Sequence, residues 1–159
     1  MLEDIDEELG RSRTQGHFWK RHDPRRLRRR MLQHEFWKQT RNNDTAGVTK
    51  SLASGEVDVN RANDQGWTPL CVAASQGYVE IVVRLLACDS IDLEFHDNCG
   101  TTALTWAATV GQLEIVKQLL DSGKVETYLK DGVGCAALTF ASRNKHTEIA
   151  DLILAKLDQ

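Results

Sequence analysis

From residue 64 onward, apolar and polar positions recur every 34 residues without insertion or deletion. Leu70, Leu104 and Leu138 are in register, as are Ala73, Ala107 and Ala141. Ile81, Ile115 and Ile149 follow, and Leu86, Leu120 and Leu154 close the block. The polar marks keep the same phase: Gly66, Gly100 and Gly134, then Glu80, Glu114 and Glu148. A fixed period of this length signals stacked supersecondary units rather than one irregular globule. Such arrays work through an extended surface, so binding is the first functional expectation.

Within one block, Leu70, Ala73 and Ala74 fall at i, i+3 and i+4, which predicts a short helix. Thr68-Pro69 supplies a capping hydroxyl and a proline suited to the first helical position. Gly77 ends that helix, because glycine enters the left-handed conformation without steric cost. Ile81, Val82, Leu85 and Leu86 give a second apolar face. The stretch from Asp89 to Gly100 is too short and too rich in Asp, Asn and Gly for another helix. Each unit reads as helix, tight turn, helix and turn-rich finger.

The residues Gly66-Trp67-Thr68-Pro69-Leu70-Cys71-Val72-Ala73-Ala74 resemble the G-x-T-P-L-H-x-A-A signature of ankyrin repeats. Gly77 to Leu86 is similar to that family's second-helix motif, and Gly100 to Leu120 repeats both. Gly134 to Leu154 diverges, with Ala136-Ala137 in place of Thr-Pro and Lys145 at the turn glycine. A weaker copy precedes them, with Phe36, Thr40, Val48 and Leu52 at the Leu70, Ala74, Val82 and Leu86 positions. The resemblance implies an all-α fold, an ankyrin-repeat solenoid of helix-turn-helix units with β-turn fingers. It divides the chain into an N-terminal extension, residues 1–34, partly disordered or helical, and a repeat domain, residues 35–159. The repeats span about 35–63, 64–97, 98–131 and 132–159.

Two departures from the family pattern carry expectations. The unit is one residue longer than usual, and the extra residue is apolar each time: Val57, Ile91 and Val125. It is expected to tuck under the finger against the helix pair. The family histidine is replaced by Cys71, Thr105 and Thr139. That histidine bonds neighbouring repeats, so its loss is expected to loosen the stack by about 1 kcal/mol per bond. Leu152 stands where Arg84 and Gln118 stand, so the last repeat is expected to expose an apolar face. That face suggests self-association through the C-terminal repeat, a covering partner, or a fragment of a larger multi-repeat protein.

The net charge of −3 hides a segregation. Residues 1–10 carry five acids and no base, whereas residues 11–30 carry nine Lys or Arg against Asp23. The run Lys20, Arg21, Arg25, Arg26, Arg28, Arg29 and Arg30 has the composition of a nuclear-import or polyanion-binding patch. Asp23 and Pro24 predict a helix start there. Leu27 and Met31 share one line of that helix, and Leu32 and Phe36 join the core. Arginines in a first turn oppose the macrodipole. The offsetting charge is either the acidic segment Glu3–Glu8 folding back or an external acidic partner or nucleic acid; a solvated helical extension is the plain alternative. His17-Phe18 and Trp19 are either a stacking platform or an anchor onto the array.

No apolar run approaches membrane-spanning length, and Met1–Gly10 lacks a secretory apolar region. Cys71, Cys88, Cys99 and Cys135 form no C-x-x-C pair, so an intracellular protein, cytoplasmic or nuclear, with reduced thiols is expected. Asn43-Asp44-Thr45 is read as a chance match to a glycosylation sequon. Cys88, His96 and Cys99 match no common zinc spacing, so no metal site and no cofactor is assigned. No nucleophile elbow, phosphate loop or H-E-x-x-H motif occurs, and no enzymatic activity is assigned. Asp97 and Asp131 read as finger turn formers.

The resemblance implies that another protein docks on the fingertips and the exposed side of each first helix. Those positions are Asp64, Gln65, Trp67, Ser75 and Gln76 in one repeat. The next contributes His96, Asn98, Thr101, Thr109 and Val110, and the last Lys130, Val133, Arg143 and Asn144. Trp67 is the strongest of these, read as exposed and outside the framework, so that Trp67→Ala weakens binding while leaving thermal unfolding nearly unchanged. Trp106 and Phe140 are read as framework packing. The expected function is a non-enzymatic interaction module. The alternative is a nuclear or nucleic-acid-associated regulator using the arginine-rich arm. Retained binding after deletion of residues 1–34 would favour the first.

Overall fold

The computed structural model describes residues 23–124 and 133–158, with only the backbone for residues 133–135. Among the described residues it contains eight helices and no strand. They form four pairs: α1 (Pro24–Arg41) with α2 (Thr45–Ala53), and α3 (Pro69–Gln76) with α4 (Val79–Leu86). Then come α5 (Ala103–Val110) with α6 (Leu113–Asp121), and α7 (Val133–Arg143) with α8 (Thr147–Leu157). The first helices stack in series, α1 on α3 on α5 on α7, and the second helices α2, α4, α6 and α8 do the same. The apolar face of each helix closes against both its own partner and the next repeat, giving one continuous core that includes Phe36, Leu70, Ile81, Leu104, Ile115 and Ile153.

Helix starts follow the capping residues. The Thr68 hydroxyl accepts from the Cys71 N–H (3.2 Å), and Thr102 does the same for Thr105 (3.4 Å). In the fourth copy Ala136 stands at the cap position and cannot accept a hydrogen bond; there α7 begins earlier, at Val133. The in-register glutamates Glu80, Glu114 and Glu148 occupy the first turns of α4, α6 and α8, where a carboxylate complements the macrodipole.

The turn between paired helices repeats in conformation as well as in phase. Asn43, Gly77, Gly111 and Lys145 are spaced 34 apart and all have positive φ (56°, 80°, 87° and 64°). The next repeat covers these turns: a Cβ at Gly77 would meet the Gln112 amide at 2.9 Å, and one at Gly111 the His146 ring at 2.5 Å. Lys145 is exposed and holds a left-handed backbone that side-chain-bearing residues resist. Lys145→Gly is therefore expected to stabilise the chain by about 0.5–1 kcal/mol, after the entropy that glycine adds to the unfolded state. The urea midpoint should rise; a fall would show that the turn carries no strain.

Two of the positions that replace the family histidine, Cys71 and Thr105, bond within their own repeat. Thr68 Oγ1 lies 3.3 Å from Cys71 Sγ, and the Thr102 and Thr105 hydroxyls lie 3.2 Å apart. Ties between repeats come from elsewhere: Tyr78 Oη donates to the Arg41 carbonyl (3.4 Å), and His146 Nε2 lies 3.2 Å from the Thr109 carbonyl oxygen. Asn60 joins successive fingers, accepting from the Asp92 N–H (2.9 Å) and donating to the Ser90 carbonyl (2.6 Å). Of the extra apolar residues, Ile91 is buried and Val57 half-buried against the core; Val125 lies outside the described residues.

α1 runs without a break across positions 34 and 35, where the sequence suggested a junction. Its N-terminal turns are docked. The buried Gln33 side chain mimics a strand partner, donating to the Asp58 carbonyl (2.9 Å) and accepting from the Asp58 N–H (2.8 Å). Arg28 pairs with Glu56 at 3.1 Å. Deleting residues 1–34 would therefore cut the first helix of the stack, so the arginines are better tested by substitution. Lys20, Arg21, His17, Phe18 and Trp19 lie outside the described residues.

Candidate functional site

A groove of about 960 Å³ opens between the first and second repeats. α1 supplies one wall, with His34, Trp37, Lys38 and Arg41. The opposite wall comes from Val72 and Gln76 of α3, with Tyr78 beyond it, and from the finger residues Asn63, Gln65 and Trp67. The i, i+3, i+4, i+7 spacing of His34, Trp37, Lys38 and Arg41 places them on one face of α1.

The finger wall is braced by side-chain hydrogen bonds. Asn63 Oδ1 accepts from the N–H groups of Gln65 (3.0 Å) and Trp67 (2.9 Å), which fixes where the Trp67 ring leaves the backbone. The Trp67 ring rests on Trp106 of the next repeat, with centroids 4.7 Å apart and planes tilted by 40°. Trp106 Nε1 donates to Asp97 Oδ2 (2.8 Å). The other oxygen of the buried Asp97 carboxylate accepts from the N–H groups of Cys99 and Thr101, both at 2.9 Å. Asp97 thus forms the expected finger turn and also anchors the aromatic pair; Asp131 lies outside the described residues.

Chemically, the groove combines aromatic planes with two permanent cations, Lys38 and Arg41, and no carboxylate among its described lining residues. Its side-chain amides, from Asn42, Asn63, Gln65 and Gln76, both donate and accept. That set suits an extended peptide with an apolar anchor and a negative charge.

The residues singled out from sequence separate into groups. Gln65, Trp67 and Gln76 line this groove. Trp67 is not the exposed, independent side chain expected of it: it is half-buried and packs on Trp106 and the core. Ser75 is also corrected, because it is buried and its hydroxyl donates to the Val72 carbonyl at 3.0 Å. Asp64, His96, Asn98, Val110, Arg143 and Asn144 are exposed, and Thr101 and Thr109 are half-buried. Asn98 Nδ2 donates to the Asp64 carbonyl (3.3 Å) and Asn144 Nδ2 to the Thr109 carbonyl (2.7 Å), so these positions also join repeats. Lys130 and the Val133 side chain lie outside the described residues. Phe140, expected in the framework, is 38% exposed, and Leu152 is half-buried against the core, leaving Leu154 as the exposed large apolar residue of α8.

The α1 wall was missed by sequence reasoning. Projecting Ser75 and Gln76 back by 34 residues leads to Arg41 and Asn42, so the register held a signal for part of it. In the same register Trp37 falls at the Cys71 and Thr105 position and His34 at the Thr68 and Thr102 capping position, which are buried framework in the later copies, so the register pointed away from the groove.

The thiols give no second site. Among the described residues no group of three or more His, Cys, Asp or Glu is placed to hold a metal ion. Burial raises the Cys71 thiol above its ordinary pKa, outweighing the bonds from Thr68, and burial raises Cys88 against the opposing pull of Lys124. Of the three thiols among the described residues, a reagent at neutral pH should modify exposed Cys99 first, Cys88 more slowly, and Cys71 only through unfolding. Peptide mapping checks the order; early labelling of Cys71 would contradict it. Because the unfolded chain ionises its thiols first, stability should decline as pH rises above about 8.5.

A family model described as ankyrin repeats, in three copies, matches residues 37–131 and 91–159. No curated protein matches the chain. Among the described residues no helix is long and apolar enough to cross a membrane.

Proposed function

Since this chain belongs to the ankyrin repeat family, whose members are generally protein-interaction modules, we propose that it is a non-enzymatic adaptor holding a segment of another protein in the groove between α1 and α3. The observation that carries this reading is that Trp37 and Trp67 line one groove together with Lys38 and Arg41, with no carboxylate among its described lining residues. Aromatic and arginine side chains in a desolvated pocket supply most of the energy at such interfaces. The fingertips His96 and Asn98, with Arg143 at the end of α7 and Asn144 in the turn after it, extend the same surface toward later repeats.

Selection from a library of random twelve-residue peptides tests the reading. Enriched peptides should carry an apolar or aromatic anchor beside Asp or Glu. Their affinity should fall at least about tenfold in Trp37→Ala and in Lys38→Glu/Arg41→Glu, about 1.4 kcal/mol or more. It should be unchanged when Arg25, Arg26 and Arg29 are replaced by Ser. Peptides indifferent to the groove variants but lost with the arginine variant would sink this reading and favour polyanion-like recognition by the arm. In that case binding should also fall steeply with salt.

A further inference from the structure

The N-terminal half of α1 presents a face that the groove does not use. Met31 and Leu27 are the most exposed large apolar side chains among the described residues, at 66% and 58%. They stand at i and i+4, hence on one line of the helix. Five arginines surround them: Arg25, Arg26, Arg28, Arg29 and Arg30. Among the described residues two carboxylates answer these five, Asp23 at 3.9 Å from Arg25 and Glu56 at 3.1 Å from Arg28. A free apolar ridge flanked by unbalanced positive charge, in helical turns whose dipole also disfavours cations, calls for an acidic and apolar cover.

The chain carries a sequence of that chemistry. Within residues 1–10, Leu2, Ile5 and Leu9 recur at helical spacing, and Glu3, Asp4, Asp6, Glu7 and Glu8 fill the positions between them. We propose that this acidic segment is the occupant of the α1 face, its apolar residues against Leu27 and Met31 and its carboxylates among the arginines. Chain length permits it. The linking residues 10–22 can span at most roughly 45 Å, whereas Met31 lies only about 12 Å along the helix from Asp23. A tether of this length gives an effective concentration in the millimolar range, so even weak intrinsic affinity populates the docked form. Glu35, the next residue on the Leu27–Met31 line, limits the contact to the turns before it. The groove competes poorly for this segment, having two permanent cations against five.

Methyl NMR on the full chain decides it, using a sample that mixes labelled and unlabelled copies to separate contacts within a chain from contacts between chains. At low salt, intrachain NOEs should join the Leu27 or Met31 methyls to those of Leu2, Ile5 or Leu9. They should be lost at about 0.5 M salt, where the screening length falls to a few ångströms. They should also be lost in E3Q/D4N/D6N/E7Q/E8Q, a set of substitutions outside the repeat core. L27S/M31S, at exposed positions that leave the core intact, should narrow the Leu2, Ile5 and Leu9 lines to those of a free segment. Absence of the NOEs at low salt overturns the proposal, as do NOEs found only between copies. NOEs from the segment to Val72 instead would place it in the groove and likewise overturn it.

Discussion

Trp67→Ala should destabilise the chain by about 2 kcal/mol, contrary to the expectation that an exposed finger tryptophan can be removed without structural cost. The ring is half-buried, so its truncation should cost roughly half of what a fully buried aromatic loses. It also removes the support of Trp106, whose Nε1 serves the buried Asp97 carboxylate. A double-mutant cycle with Trp106→Phe separates the two contributions. Trp67 and Trp106 should couple by about 0.5–1.5 kcal/mol, the range for tilted aromatic pairs. In a chain of this size a loss of 2 kcal/mol lowers the melting temperature by roughly 4–8 °C. An unchanged melting temperature would return Trp67 to the status of a free surface residue. Because the same ring lines the groove, binding must be measured well below the transition, so that unfolding is not mistaken for lost affinity.

Gly111→Ala should be the more damaging of the two turn substitutions, at about 2–3 kcal/mol. Both Gly77 and Gly111 are left-handed, so alanine at either costs about 1–2 kcal/mol in backbone strain. The neighbours differ. At Gly77 the new methyl meets the end of the flexible Gln112 side chain, which can swing away. At Gly111 it meets the His146 ring, which lies against the Thr109 carbonyl just before α8. Displacing the ring adds about 1 kcal/mol for the lost hydrogen bond. Urea unfolding of both variants checks the order. If Gly77→Ala proved equal or worse, the His146 clasp would contribute nothing to the stack.

Much of the architecture was legible because its signals are local. Thr68-Pro69 and Thr102 cap helices through bonds to the N–H three residues on, and the turn glycines act through their own φ. The missing cap at Ala136 likewise marks a helix that starts early. The candidate site was less legible. Trp67 sits one residue before its helix cap, whereas Trp106 sits inside a helix at the Val72 position, so no single register links them. Ser75 and Gln76 are adjacent, yet one points into the structure and the other into the groove, a difference of about 100° around the helix axis that composition does not reveal. The change of charge near residue 30 suggested a junction, but the bonds from Gln33 to Asp58 carry the first helix through it.

By itself the sequence determined the repeat phase, the paired helices, the left-handed turns and the absence of recognisable catalytic motifs. These rest on hydrogen bonds over a few residues and on apolar spacing repeated three times, which need no knowledge of neighbouring units. Only the tertiary structure decided which side chains meet across repeats: Trp67 on Trp106, His146 over Gly111, and Tyr78 on the Arg41 carbonyl beside the groove. Those contacts join residues about 30 to 40 positions apart, and their geometry depends on how far each stacked unit is displaced and rotated from the last.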